Sequence, residues 1–403
     1  MASSILEALE IIASQIPTVE NEIIPIENAI NRVVAQNYVS TFNLPRFNNS
    51  AMDGYVVKVA DAGKTVSTHE VIYAGDNPTM TLKSHTAIKI MTGAPIPNGG
   101  EAIVPIENVI QENKDIVLPK DIQHNHFIRM AGEDIQKGSI YLSKGETINA
   151  YTIASLASQG VTHVTVYRQI KVAIFATGEE LRPHYEQIEA HQLYNSNSPM
   201  FIARAKSLGC EVRLIQTSAD TLEALESSIK TALDADIIIT SGGVSVGDKD
   251  FTKEAFTNLG MHILIDKIDI KPGKPTIIGT IGQTTIINLP GNPLASMVNF
   301  ELFVRAVIKK LSGSNDIYHK TITTIIKTDF SLRSGKYTVL LGKFDGKSFE
   351  PLKPQMPGMV SPMQKADGFI IVTPDVTMLH KGEYVRMLAI KWEFSSSKKE
   401  VIM

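Results

Sequence analysis

The sequence predicts a multidomain α/β plus β protein. We expect a central doubly wound α/β domain, a β-rich inserted domain, an elongated N-terminal domain and a small C-terminal β domain. The chain has 403 residues, more than one hydrophobic core supports efficiently. Apolar runs without alternation, separated by amphipathic helices, follow residue 170 and are typical of a parallel sheet covered on both faces. Extended, turn-rich stretches lie on either side of this region.

Two predicted helices frame the first part of the chain. The first begins after Ser4, which forms a capping-box pattern with Glu7. The second, residues 150–158, precedes Gly160, a residue typical of helix ends. Short alternating stretches separated by Gly, Pro, Asn and Asp lie between them and indicate a β-rich insertion.

The α/β pattern begins near residue 171. A strand-like segment, 172–177, precedes a helix with Pro199 in its first turn. The apolar run 236–240 follows a further helix, and segment 284–289 leads into a long helix that starts at Pro293.

These patterns divide the chain into four predicted domains. They are 1–44 with 140–168 (elongated and discontinuous), 45–139 (β-rich and inserted), 169–318 (α/β), and 319–403 (C-terminal β).

Composition excludes several classes of protein. The net charge of −3 provides no basic surface for nucleic acid or an anionic membrane. Cys210 is the only cysteine, so disulfide frameworks and thiolate metal sites are excluded, and we expect its thiol to be buried. The N-terminal segment lacks the features of a signal peptide and no apolar run could span a bilayer, so we expect a cytoplasmic protein.

Ligands of open α/β sheets bind outside the carboxyl ends of the strands, and SGGVSVGDKD (241–250) follows such an end. Its glycines let backbone N–H groups approach a phosphate. Asp250 fits beside a phosphate if a divalent cation bridges the two. The alternative is a glycine-rich turn in which Asp250 caps the next helix. The candidate phosphate donors are Ser241, Gly242, Gly243, Ser245 and Gly247.

Two further segments at predicted strand ends favour anions. In IKPGKP (270–275), Lys271 and Lys274 flank a Pro-Gly turn, and two ammonium groups held together fit an anion between them. In LPGNP (289–293), the prolines restrict the backbone and Asn292 is placed to cap a helix whose N-terminus attracts anions. The alternative for IKPGKP is a solvated surface turn, and the alternative for LPGNP is an ordinary turn between a strand and a helix.

Other acids lie at predicted turns. Glu179 and Glu180 follow the strand 172–177 and are candidates for metal binding or proton transfer. Asp220 precedes a helix with Glu223 three residues on, and helix capping alone explains that pattern. Three turn-dense segments of the β-rich part, NNSAMDGY, MTGAP and AGEDI, carry polar side chains at Asp53, Thr92, Glu133 and Asp134.

Taken in order, seven segments resemble the pattern of the molybdopterin molybdotransferases, the MoeA and gephyrin E-domain family. The resemblance extends from about residue 5 to residue 393. The segments are PRFNNSAMDGY, IMTGAPIPNGGEAIV, GEDI, TGEEL, SGGVSVGDKDF, IKPGKP and LPGNP.

The resemblance implies the last step of molybdenum cofactor synthesis, in which molybdate is inserted into adenylylated molybdopterin and AMP is released. It implies dependence on a divalent cation such as Mg²⁺ and a MogA-like α/β domain. It also implies an elongated homodimer, with each active site between the α/β domain of one subunit and the β-rich domain of the other. Transient contact with other molybdenum cofactor biosynthesis proteins is expected, and no nucleic acid or membrane partner.

The resemblance also implies roles for individual residues. The β-rich domain would contribute the catalytic residues Asp53, Thr92 and Asp134. The α/β domain would contribute the catalytic residues Glu180, Asp220, Asp250, Lys271 and Lys274, with Asp250 and Glu180 as metal ligands. The ligand-binding residues would be Gly242, Gly243, Ser245, Gly247, Pro275, Pro290, Gly291, Asn292, Pro293 and Ser361.

This sequence departs from the family pattern at two places. Ala295 stands where the family usually has a serine, with Ser296 adjacent. In the C-terminal part, Lys336 stands in a segment where the family usually has arginine. Two alternative functions remain open: an adenylyltransferase of the MogA type, which shares the α/β domain, and a non-catalytic scaffold that retains the fold.

Overall fold

The computed structural model of the protein describes residues 2–176, 180–215, 221–242, 251–333 and 335–391. Within these ranges, no helix has both the length and the apolar character needed to cross a membrane.

The chain begins with a capped helix. Ser4 accepts a hydrogen bond from the backbone N–H of Glu7 (3.1 Å) and returns one to the Glu7 carboxylate (2.7 Å), which confirms the predicted capping box. The apolar face of this helix packs on the helices of residues 293–311, although the sequence had placed residues 1–44 in the N-terminal domain. The elements of this part are α1 (Ile5–Gln15), β1 (Asn21–Pro25), a 3-10 helix (Ile26–Asn28) and β2 (Tyr38–Val39).

Residues 45–139 are rich in strands, as predicted. Their main sheet has six strands in the order β7-β4-β6-β5-β9-β8, and β3 pairs separately with β10. The elements are β3 (Asn49–Ser50), β4 (Gly54–Val57), β5 (Thr65–Ile72), β6 (Thr86–Ile90), β7 (Ala102–Pro105), β8 (Ile110–Glu112), β9 (Asp115–Val117), β10 (Ile128–Arg129), and 3-10 helices at Val59–Asp61 and Ile106–Asn108.

The chain then returns to its first strands. The elements are β11 (Ile140–Leu142), α2 (Ala150–Ser158) and β12 (His163–Tyr167). Strand β12 runs antiparallel to β1, and β11 antiparallel to β2, so residues on both sides of the insertion share one unit. Helix α2 has the predicted bounds, and Gly160 follows it with a φ of 72°.

The next unit alternates strands and helices. Its elements are β13 (Lys171–Ala176), β14 (Leu181–Arg182), β15 (Leu193–Tyr194), α3 (Asn197–Ser207), β16 (Glu211–Ile215), α4 (Leu222–Ala232), β17 (Ile237–Ser241), α5 (Phe251–Asn258), β18 (His262–Ile265), β19 (Ile277–Ile281), β20 (Thr284–Leu289), α6 (Pro293–Asn299), a π-helical turn (Phe300–Val304) and α7 (Arg305–Leu311).

Helices cover both faces of this sheet. Ile174 and Ile239 pack on one face with residues of α1, α3, α6 and α7. Phe175 and Ile238, their chain neighbours, pack on the other face with α4 and α5. Because successive residues of a strand are buried on opposite faces, the strands show no polar alternation, and the predicted doubly wound architecture is confirmed.

The sheet is not entirely parallel. Its order is β16-β13-β17-β20-β19-β18, and β19 and β18 run antiparallel to their neighbours. The prediction of a parallel sheet was therefore wrong at this edge, because the short turn at Gly282 joins β19 to β20 as a hairpin, which only antiparallel strands allow. The capping explanation for Asp220 was also wrong, since Thr221 caps α4 by accepting from the Ala224 N–H (3.3 Å).

The C-terminal part forms a closed barrel in the order β21-β24-β23-β25-β27, around buried Phe349, Ile370 and Met387. The predicted C-terminal β fold is thereby confirmed. The elements are β21 (Thr321–Ile326), β22 (Phe330–Ser331), β23 (Thr338–Phe344), β24 (Ser348–Pro351), α8 (Ser361–Lys365), β25 (Gly368–Val372), β26 (Met378–Leu379) and β27 (Tyr384–Ala389).

A half-buried ion pair and a buried cysteine lie near the other end of the sheet. The Arg168 guanidinium donates to both carboxylate oxygens of Asp236 (2.7 Å each), and so joins the strand end of β12 to the α/β unit. Glu20, which is largely exposed, takes a third bond from Arg168 (2.8 Å). Cys210 is buried, as predicted, and burial raises the pKa of its thiol to about 12.

Candidate ligand site at the carboxyl edge of the sheet

Strand register places the first candidate segments at one edge. Ala176 of β13 lies opposite Ser241 of β17, and Ser241 lies opposite Leu289 of β20. The beginning of antiparallel β19 reaches the same edge, because Ile277 pairs with Asn288. The segments TGEEL, SGGVSVGDKD, IKPGKP and LPGNP therefore all adjoin this edge of the sheet.

Two glycines bring neighbouring segments close together. Gly242 has a φ of 93°, and its N–H donates to the Leu289 carbonyl (3.1 Å). A Cβ added to Gly291 would lie 3.6 Å from the Cα of Gly242, so a side-chain carbon at position 291 would already be in van der Waals contact with the neighbouring segment. The predicted donors Gly243, Ser245 and Gly247 lie outside the described residues.

A buried asparagine links these two segments and was not among the sequence candidates. Nδ2 of Asn197, the first residue of α3, donates to Oγ of Ser241 (2.7 Å) and to the carbonyl of Gly291 (2.9 Å). In sequence, Asn197 stands in NSNSP, a pattern that indicates only the start of a helix. A polar side chain two residues before Pro199 was the available signal, but only the tertiary fold places it between the two segments.

The LPGNP turn is closed from inside by a serine. Ser296 is fully buried, and its hydroxyl donates to the carbonyls of Pro290 and Asn292, the latter at 3.1 Å. This chain has Ala295 where the family usually has a serine, and the hydroxyl of the adjacent Ser296 lies beneath the turn. Asn292 occupies the N-cap position, as predicted, but its side chain makes no capping bond, and Pro293 begins the helix.

The Pro-Gly turn between the lysines is held by a second buried asparagine. Nδ2 of Asn299 donates to the Gly273 carbonyl (3.2 Å) and to the Ala295 carbonyl (2.8 Å). Gly273 has a φ of 115°, and an added Cβ would lie 1.8 Å from Asn299 Nδ2. Glycine is therefore required here, while Lys271 and Lys274 on either side are exposed and Pro275 is half-buried.

The C-terminal barrel contacts both turns. The Lys271 N–H donates to the Tyr337 carbonyl and the Lys271 carbonyl accepts from the Val339 N–H, each at 2.8 Å. The Leu294 N–H donates to the Pro357 carbonyl (3.0 Å). These contacts bring the segment of exposed Lys336 beside Lys271. Ser361, also exposed, begins α8 a few residues beyond Pro357.

The three candidate acids of this unit follow three adjacent strands. Asp220 follows β16, Glu180 follows β13 and Asp250 follows β17, and these strands are neighbours in the order β16-β13-β17. Glu180 is exposed, whereas Asp220 and Asp250 lie outside the described residues. Mg²⁺ prefers hard oxygen ligands such as carboxylates, so these three acids are chemically suited to bind that ion. Among the described residues alone, no group of three or more His, Cys, Asp or Glu could hold a metal.

The candidates of the β-rich part form a second group. Thr92 donates two hydrogen bonds to Oδ1 of Asp53, from its N–H and its hydroxyl (2.7 Å each). These bonds, the backbone one foremost, hold the pKa of the Asp53 carboxyl below its usual value. Both side chains are exposed.

Hydrogen bonds also assemble the three turn-dense segments. The Gly93 N–H donates to the Ser50 carbonyl (2.8 Å), which joins MTGAP to NNSAMDGY. The Ala131 N–H donates to Oδ1 of Asn48 (2.8 Å), which joins AGEDI to the same stretch. Asp134 is exposed on this assembly, and no described hydrogen bond links it to Asp53.

Between the described residues of the two groups, no hydrogen bond is formed within one chain. Among the described residues, the hydrogen bonds of Asp53, Thr92 and Asp134 stay within residues 44–135, and those of the sheet edge stay within the α/β unit and the C-terminal barrel. The structure therefore assembles each half separately.

Comparison with known proteins identifies the family. Residues 3–160 match the MoeA N-terminal region (domain I and II), residues 173–310 a probable molybdopterin binding domain, and residues 324–390 the MoeA C-terminal region (domain IV). A Staphylococcus epidermidis protein named molybdopterin molybdenumtransferase is 35% identical over 346 residues, covering 84% of this chain and 82% of that protein. The protein of that name from Staphylococcus aureus is 33% identical over 333 residues, covering 81% and 80%.

Solved structures agree with this. A molybdopterin biosynthesis MoeA protein from Pyrococcus horikoshii superposes with a TM-score of 0.80 at 28% identity, covering 97% of this chain and 100% of that one. A second structure from the same organism has a TM-score of 0.84 at 23% identity, covering 96% and 100%. The chain belongs to the MoeA family of molybdopterin molybdenumtransferases.

Proposed function

We propose that the chain inserts molybdate into adenylylated molybdopterin and releases AMP. The dithiolene sulfurs bond to molybdenum, oxide ligands leave as water, and hydrolysis of the phosphoanhydride P–O bond frees AMP. The broader assignment follows from family membership: the chain is a transferase of molybdenum cofactor biosynthesis. We place the activity in the cytoplasm, where a free thiol such as that of Cys210 stays reduced.

The observation that supports this function most is the meeting of three anion-binding segments at one sheet edge. The Gly242 N–H bonds to the Leu289 carbonyl at the start of the LPGNP turn, and Asn299 bonds to the turn between Lys271 and Lys274. A substrate with phosphates and an oxyanion co-substrate needs such adjoining sites. The matches to both MoeA terminal regions weigh against the free-standing MogA-type adenylyltransferase.

The two lysines are assigned to molybdate. Both are exposed, and the rigid turn between them limits how far their ammonium groups can separate. A doubly charged oxyanion placed between them offsets their mutual repulsion. Lys336 of the C-terminal barrel, whose chain neighbour Tyr337 bonds to Lys271, extends this cationic surface.

Asp250 and Glu180, with Asp220, would hold Mg²⁺. When bound, that ion would neutralise the substrate phosphates and act as a Lewis acid at the phosphoanhydride. The glycine backbone of the 241–250 segment would bind the phosphates, and the neighbouring lysines would keep molybdate beside the sulfurs.

We further propose that the site is shared between two subunits of a homodimer. Asp53, Thr92 and Asp134 form a polar surface that makes no described contact with the sheet edge of their own chain. In a two-fold dimer each such surface faces the other subunit in the same way, so two equivalent sites form. Ile23, Ile140 and Tyr151, which are 70%, 55% and 85% exposed, offer apolar surface for such an interface.

The reaction is tested by incubating the protein with adenylylated molybdopterin, molybdate and Mg²⁺ and following AMP. We expect release well above a protein-free control, and the absence of release would contradict the proposal. Asp250→Ala should lose most of the metal-dependent rate, because loss of a carboxylate at a metal site typically lowers metal affinity or activity by about tenfold or more. Asp266→Ala is the matched control, since that acid pairs with Lys253 at the surface (2.6 Å).

Subunit sharing is tested by mixing two variants that each disable one half of the proposed site, Asp53→Ala and Asp250→Ala. A mixed dimer with shared sites has one site built entirely from intact halves. After full subunit exchange, half of the dimers are mixed, so about a quarter of wild-type activity should return. No recovery, or a monomer in light scattering, would remove the shared site while leaving the reaction itself standing.

A further inference from the structure

The side-chain amide of Asn197 donates hydrogen bonds through its nitrogen, whereas its oxygen has no partner among the described residues. The residue is 7% exposed, and Nδ2 donates to Ser241 and to the Gly291 carbonyl. Among the described residues, Oδ1 is buried without a hydrogen-bond partner. Burying a polar atom without a partner is unfavourable, so this atom is suited to accept a hydrogen bond from a bound ligand.

The orientation of this amide is settled by its neighbours. Backbone carbonyls only accept hydrogen bonds, so the atom facing Gly291 must be the nitrogen. The unfilled atom is therefore the oxygen, an acceptor. Because Nδ2 and Oδ1 are bonded to the same carbon, Oδ1 also lies at the junction of the 241–250 segment and the LPGNP turn.

Because Oδ1 of Asn197 is a hydrogen-bond acceptor, its partner must be a hydrogen-bond donor. A phosphate or molybdate oxygen is itself an acceptor at neutral pH and would be repelled there. The matching group is an N–H or an O–H. The substrate of the proposed function carries such donors in its pterin ring, in its ribose hydroxyls and on its adenine, all attached to the phosphates that the neighbouring glycine segments would hold.

We propose that Asn197 is a substrate-binding residue, whose Oδ1 accepts a hydrogen bond from an N–H or O–H of the pterin or nucleoside part of the substrate. This rests on the proposed function, because that function supplies a ligand with both anionic and donor groups. Asn197 then distinguishes substrates that carry the donor from those that lack it, which neither glycine segment achieves through phosphate contacts alone.

The test uses Asn197→Leu in the full-length protein, which keeps the shape of the side chain and removes both the acceptor and the two hydrogen bonds donated by Nδ2. Calorimetric titration with AMP and, separately, with molybdopterin that lacks the nucleotide identifies the source of the donor. We expect about a tenfold loss of affinity for the ligand that carries it and little change for the other. The Michaelis constant for molybdate, which has no donor, should stay within about twofold of wild type.

If AMP is the affected ligand, 2′-deoxy-AMP and 3′-deoxy-AMP complete the test. If the donor is a ribose hydroxyl, wild type should bind one of them more weakly than AMP. If it is the adenine amino group, wild type should bind both like AMP and should bind purine riboside 5′-monophosphate, which lacks that group, more weakly. Asn197→Leu should not distinguish AMP from the analogue that lacks the donor. Asn258→Leu, the same exchange at an exposed position on α5, is the control and should match wild type throughout. Asn197→Ala replaces the leucine variant if thermal unfolding shows that the latter does not fold.

Two outcomes overturn the inference. Equal weakening of AMP, molybdopterin and molybdate would mean that Asn197 acts only by holding the two segments together. Unchanged affinities would mean that Oδ1 is filled by an internal water. In either case wild-type AMP release would still stand, so failure of this inference is distinct from failure of the proposed reaction.

Discussion

Thr92 donates two hydrogen bonds to a single carboxylate oxygen of Asp53, from its backbone N–H and from its hydroxyl, each 2.7 Å long. The pair joins two sequence motifs that are separated by three strands, β4, β5 and β6, and it stabilises the charged form of an exposed acid. Because the Thr92 hydroxyl donates only one of the two bonds, a substitution at Thr92 can remove its effect on the pKa of Asp53 and keep that of the backbone N–H.

Thr92→Val should move the acid limb of the pH–rate profile to higher pH. The folded-state pKa of Asp53 is lowered, so the carboxylate persists as pH falls below the usual value for aspartate. Removing the hydroxyl raises that pKa towards its ordinary value, and ionised Asp53 is then lost earlier on acidification. The pH dependence of kcat/KM measures this. Thr92→Ser, which keeps the hydroxyl, should retain the wild-type limb, and identical limbs in all three proteins would exclude a catalytic charge on Asp53.

Gly273→Ala should destabilise the protein more than an alanine at another left-handed glycine. The new Cβ would meet Asn299 Nδ2 at 1.8 Å, whereas at Gly346, with a φ of 91°, nothing lies within 4 Å. Backbone strain costs about 1–2 kcal/mol at both sites, and the clash adds about 1–3 kcal/mol at Gly273 alone. Urea unfolding of the two variants measures the difference. Equal losses would mean that Asn299 yields without cost.

Arg168→Leu should lower the free energy of unfolding by about 1–3 kcal/mol, because it leaves the largely buried Asp236 carboxylate without its bidentate partner. Glu20→Gln removes only an exposed partner of the same arginine and should cost less than about 1 kcal/mol. Denaturant titration compares them. If both variants lose the same small amount, the Arg168–Asp236 pair does not hold the two units together.

Lys274→Gln should raise the Michaelis constant for molybdate by about tenfold, since a hydrogen bond to a charged group contributes roughly 1.5–3 kcal/mol. The value for adenylylated molybdopterin should change much less. Initial rates at varied molybdate measure both. Lys267→Gln is the control, because that lysine is exposed beside Asp266. Should the two variants behave alike, Lys274 does not bind the oxyanion.

Local rules predicted much of the fold correctly. The capping box of Ser4, the bounds of α2 and the buried strands around Ile239 follow from short-range chemistry and from burial on two faces, which leave direct marks in sequence. The predicted parallel sheet failed at β19, where a short hairpin reverses the chain. The cap of α4 was misassigned by one residue, because Asp220 and Thr221 are both good capping residues and only geometry decides between them.

The sequence by itself determined the family, the order of units and the chemistry of the candidate segments, since glycines, lysines and acids at strand ends are local patterns. Only the tertiary structure decided which segments meet. Asn197 and Asn299 show the reason: each is an ordinary helical asparagine in sequence, and each becomes significant through carbonyls distant in the chain. Long-range hydrogen bonds of buried amides depend on the packing of strands and helices, and no local pattern records them.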